Sequence, residues 1–123
     1  MKSSQRISEQ IEERMLSFSV KIIETGRILP KTAENEIIKK QLVRSSSSIG
    51  ANYIEANNAA SKSDFRNKIF IAKKEAAETR YWLRILSTTN PSIETSALLD
   101  ECSQFLFILQ KIISTLKNSQ VKA

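Results

Sequence analysis

Apolar residues recur every three or four positions along most of the chain, and nowhere does the strict alternation of a half-buried strand appear. Three interruptions divide the pattern: Pro30-Lys31-Thr32, the Ser- and Asn-rich stretch from Asn57 to Ser63, and Asn90-Pro91-Ser92. The spacing predicts one domain of four amphipathic helices at about 4–29, 33–59, 62–88 and 91–117. Short connections between helices of similar length favour an all-α, antiparallel, up-down-up-down four-helix bundle.

Helix one turns Ile7, Ile11, Met15, Phe18 and Ile22 inward. Pro30 stops it, because the residue before a proline is pushed away from helical geometry. Thr32 is placed to cap helix two, with Glu34 near its positive end. That helix buries Ile38, Leu42, Ile49, Tyr53 and Ala56. Ser45 to Ser48 falls in register with this stripe and reads as a small-residue section that a neighbouring helix approaches closely. Gly50 extends the section at a cost of about 1 kcal/mol in helix propensity.

Ser61 or Ser63 caps helix three, which buries Phe65, Ile69, Ala72, Ala76 and Leu83 and carries a second flank of Ile71, Trp82 and Ile85. Helix four is expected from Asn90, with Pro91 at its first position. Its seam is Leu98, Cys102, Phe105, Leu109, Ile112 and Leu116, in coiled-coil spacing. Further apolar residues flank the seams: Leu99, Leu106, Ile113 and Phe107 on helix four, Phe70, Tyr81 and Trp82 on helix three. Several exposed aromatics on adjacent helices point to a protein contact, and hence to a homo-oligomer.

Composition narrows the class. A chain of 123 residues with two glycines and two prolines leaves little room for a loop-built active site. Its length suffices to bury roughly two-thirds of the unfolded surface. The lone Cys102 excludes an internal disulfide and fits a reducing compartment. Met1 to Ser8 lacks the apolar core of a signal peptide, and the longest apolar run, Phe105 to Leu109, is far short of a membrane span. A cytoplasmic protein is expected.

The net charge is +6, and residues 61–89 hold most of it, with seven basic and three acidic side chains. Helical geometry gathers Lys62, Arg66, Lys73, Arg80 and Arg84 into one stripe, since residues a heptad apart differ by only about 20°. Such a row can track phosphates, with affinity that falls steeply in salt. A solvated helix face is the plainer account of the same row. No base-reading device accompanies it.

A second set of polar residues lies close to the core stripes: Arg44, Ser48, Asn52 and Glu55 on helix two, Glu75 and Glu78 on helix three. Two carboxylates three residues apart raise the prospect of acid/base or metal chemistry. The chain has no histidine to complete a Glu-x-x-His pair, and no metal or other cofactor is expected. The better account is a hydrogen-bonded network in which Glu55, Glu75 and Glu78 meet Arg44, Arg80, Asn52 or helix ends. Cys102 lies on a core seam and behaves as a small apolar residue. No catalytic arrangement of residues is present, so no enzymatic activity is expected.

The segment from Gln41 to Ala56, with Arg44, Asn52 and Glu55, resembles the second-helix signature of the bacterial four-helix bundle proteins, also called 23S ribosomal-RNA intervening-sequence proteins. Ser63-Asp64-Phe65 and the run from Ile71 to Leu83, with Glu75 and Glu78, resemble the third-helix signature. Ala56 departs from the pattern, where many relatives have glycine, as does Glu75, where many carry serine. The resemblance implies an antiparallel four-helix subunit, often assembled as a five-membered ring. It also implies a kinship with the basic, pentameric accessory proteins of diversity-generating retroelements, which engage reverse transcriptase and nucleic acid. The expected function is a non-enzymatic, homo-oligomeric (homopentameric by the resemblance) bundle binding structured RNA or other nucleic acid through the helix-three stripe. The alternative is a protein-interaction scaffold without nucleic-acid affinity.

Overall fold

A computed structural model describes the backbone of residues 3–122 and the side chains of residues 3–117. Met1 and Lys2, the start of the Met1–Ser8 stretch weighed above, lie outside the described residues. Four helices follow one another: α1 Ser3–Ile28, α2 Ala33–Asn57, α3 Lys62–Thr89 and α4 Ser96–Lys122. They pack in sequence order, α2 most extensively with α3, and the α1–α4 seam is the least closed.

One core runs through the bundle. Met15, Phe18 and Ile22 meet Ile38, Leu42, Ile49 and Tyr53, while Ile69, Ala72, Ala76 and Leu83 meet Leu98, Cys102, Phe105 and Leu109. Phe18 and Phe105 pack edge to face with centroids 5.3 Å apart, joining α1 to α4. The small-residue section of α2 acts as expected. Ser45 and Ser46 are buried, and the hydroxyls of Ser45 and Thr79 are hydrogen-bonded at 2.8 Å. A methyl group placed on Gly50 would lie 3.4 Å from Met15 Cβ, which marks how closely α1 approaches there.

Thr32 and Ser61 are the N-caps of α2 and α3, each accepting a hydrogen bond from the amide three residues on. Four expectations need correction. Helix four does not begin at Pro91 but at Ser96. Asn90 instead closes α3, donating its amide to Leu86 O at 2.8 Å, and Glu94 accepts from the Ser96 amide at 2.7 Å. At the far end of α4, Ile113 is buried where Ile112 was expected, and Ile112 and Leu116 are only half-buried. A heptad seam drifts about 20° per repeat on a straight helix, and by its end the next residue faces the core. On α1, Ile7 is exposed and Ile11 half-buried, because each four-residue step rotates the side chain by about 40°. Phe65 likewise is half-buried rather than sealed in.

Candidate nucleic-acid interface

The α3 helix divides its charges between two sides. Toward α2, Arg44 bridges Glu75 and Glu78: its Nη1 is 3.2 Å from Glu75 Oε2, and its Nη2 donates to Glu78 Oε2. Trp82 Nε1 donates to the same Glu78 oxygen at 3.1 Å, and Gln41 Oε1 accepts from Arg44 Nε at 3.0 Å. Burial alone would lower the guanidinium's pKa, but the Glu78 hydrogen bond and both carboxylate charges leave it raised. With Arg44 about half exposed, solvent screens these contacts, and they act mainly to hold the register of α2 against α3.

The rest of the expected network is arranged differently. Glu55 pairs with Lys68 at 3.1 Å rather than with Arg44. Asn52 Nδ2 turns back onto its own helix, donating to Ser48 O at 2.8 Å and lying 3.0 Å from Ser48 Oγ. Arg80 points away from the carboxylates altogether. Of the family's polar positions, the structure therefore brings together Arg44, Glu75 and Glu78 and leaves Asn52 and Glu55 apart.

Toward α4, the same helix presents its cations. Lys62, Arg80 and Arg84 are exposed, and Arg66 and Lys73 are half-buried along their stems. Arg80 Nε lies 3.4 Å from Ser103 Oγ, which sets the row along the α3–α4 edge. Among the described residues none of the five forms an ion pair, which they share with other surface cations such as Lys21, Lys40 and Lys74; what sets them apart is their alignment along one edge. From Lys62 to Arg84 the row runs roughly 33 Å at the helical rise. Unneutralised charges of one sign along such a length build a local positive potential.

Cys102 takes no part in a reactive site. Its thiol is buried against Ala76 O at 3.2 Å, and burial, only partly offset by the Arg80 charge, pushes its pKa up to about 12. A thiol held protonated is a poor nucleophile. Two polar clusters were not foreseen. Arg14 holds α1 to α4 through Glu101, at 2.6 and 3.1 Å, and Gln104, at 2.8 Å, with its guanidinium over the Phe105 ring. Asn35 and Asn90 pair their side-chain amides reciprocally at 3.1 and 3.0 Å, both buried. Both join residues far apart in sequence, and only knowledge of helix register could have matched them.

Comparison with known proteins follows the same lines. A family model described as 23S rRNA-intervening sequence protein matches residues 8–115. A crystal structure from Bacteroides thetaiotaomicron VPI-5482, of a protein with unknown function from the S23 ribosomal protein family, is similar at 36% identity and a TM-score of 0.76. The match covers 84% of this chain and 97% of that one. No curated protein matches the chain.

Proposed function

The chain belongs to the 23S rRNA-intervening sequence protein family, and from that premise we propose that it is a non-enzymatic, self-associating bundle that binds RNA through the outer α3 edge. The alignment of five cations along one helix edge, with no carboxylate partner among the described residues, carries this reading. A helix that merely needs solubility commonly mixes charges of both signs at i, i+4 spacing, whereas this edge of α3 carries one sign only. The α4-facing side keeps its cations free for phosphates, which release counterions on binding.

Self-association rests on a separate observation. Leu16, Val20 and Ile23 on α1 and Ile37 on α2 are exposed, and the last two line one apolar groove together with Val43. A second copy of the chain is the proposed occupant of that groove, which lies apart from the α3–α4 edge. The free thiol and the lack, among the described residues, of any helix long and apolar enough to cross a membrane accord with work in the cytoplasm.

The test is RNA binding in modest salt by the wild type and by Arg66→Glu combined with Lys73→Glu. Weakened binding by the double variant supports the row as the site. Equal binding removes it. An intact oligomer with no affinity for RNA in either form would favour a protein-interaction scaffold instead.

A further inference from the structure

Beside the basic row stand aromatic rings that the core does not use. Phe70 and Tyr81 are eleven residues apart on α3, about three turns, so their rings project to one side. That side adjoins the row, roughly 70° further round the helix. Both rings are open to solvent, at 43% and 61% exposure. Across the edge, Ser103 of α4 sits against Arg80, and Phe107 follows one turn later, 65% exposed. Lys111 Nζ lies 5.7 Å from the Phe107 ring centroid and adds a cation to that flank. One outer face therefore carries a line of cations with uncovered aromatic rings on either side.

The two features answer to different parts of a single ligand. Phosphates suit the cations, and the flat faces of bases suit the rings. A paired RNA helix offers phosphates but keeps its bases stacked inside, out of reach of rings on an outer helix surface. Unpaired nucleotides offer both at once, and stacking on aromatic side chains tolerates any base. We infer that this face binds single-stranded stretches of RNA, with phosphates along the row of Lys62, Arg66, Lys73, Arg80 and Arg84 and bases stacked on Phe70, Tyr81 and Phe107. This rests on the RNA-binding reading above and goes beyond it by naming the form of RNA and the groups that select it.

Tyr81 is suited to this role because its ring is held rather than loose. Tyr81 packs edge to face with Trp82 at 6.4 Å, and Trp82 is itself fixed by its bond to Glu78. A ring held in place loses little freedom when a base stacks on it.

The experiment titrates full-length protein into labelled single-stranded RNA of about twenty nucleotides, longer than the ~16-nucleotide upper end of common single-strand sites. The duplex formed with its complement serves as the second probe at the same salt. The single strand is expected to bind more tightly. Tyr81→Ala and Phe107→Ala are each expected to weaken single-strand binding by about 5- to 100-fold, while Tyr81→Phe retains it and duplex binding is unchanged. If the alanine variants bind the single strand as wild type does while Arg66→Glu with Lys73→Glu weakens binding, the stacking inference falls and the RNA reading stands. If wild type binds neither probe, the RNA reading falls and takes the inference with it. If the alanine variants instead change the particle mass in light scattering, the rings form a protein contact and the inference is overturned.

Discussion

A buried amide has to find partners, and Asn35 and Asn90 find each other across 55 residues of sequence. Asn35 Nδ2 also donates to Pro30 O at 2.9 Å, and the Asn90 side chain sits 3.1 Å from Thr89 Oγ1. The pair thus ties the α1–α2 turn to the end of α3. Removing one member leaves the other unsatisfied, so Asn35→Ala is expected to cost about 1–3 kcal/mol in chemical denaturation. Asn35→Ala with Asn90→Ala should cost less than the sum of the single variants. Gly50 behaves in the opposite sense. Its added methyl meets only ordinary van der Waals contact with Met15, so Gly50→Ala should stabilise the protein by about 0.5–1 kcal/mol through helix propensity. The helix-propensity cost of Gly50 was legible in the sequence, but the amide pair was not, because nothing local distinguishes Asn90 from an ordinary turn residue.

At the scale of the element, helix existence was legible and helix ends were legible only where a side chain caps its own helix. Thr32 and Ser61 sit directly before periodic apolar runs, and their caps follow from local chemistry. The start of α4 did not. Pro91 satisfies the rule for a first helical position, but Asn90 is held by α3 and by Asn35, so the chain must complete a turn before it can start again. Glu94 then supplies the acceptor for the Ser96 hydroxyl and amide, and these bonds hold its carboxyl below the usual glutamate range. A carboxyl whose folded pKa is depressed contributes stability above its unfolded value and loses it as pH falls through the folded value. Stability should therefore drop below about pH 4.5, and Glu94→Gln should flatten that part of the profile. Thermal melts of both proteins between pH 5 and pH 3 check it; an unchanged slope would remove the cap's role.

At the scale of the whole molecule, the bundle keeps its paired charges, its apolar groove and its row of cations on different sides. The Arg44–Glu75–Glu78 contacts set α2 against α3, the apolar groove of α1 and α2 faces a proposed second copy, and the α3–α4 edge remains charged and open. Ile23→Glu, which places a charge on the exposed groove, is expected to reduce the particle mass in light scattering without unfolding the subunit. Retention of the oligomer would move the contact elsewhere. The charged stripe was legible because a heptad spacing survives translation into three dimensions. The lack of ion pairs within α3 was legible too, since none of the five cations has a carboxylate three or four residues away, but the absence of a partner on α4 was not, because that depends on how the two helices pack. The measurement that bears most directly on this division is the salt dependence of RNA binding by the wild-type protein. Five freed phosphate contacts predict that log K falls against log salt with a slope near −3.5 for a single strand, shallower by about 1.4 units or more in Arg66→Glu with Lys73→Glu. A flat salt dependence, or the same slope in both proteins, would contradict the account.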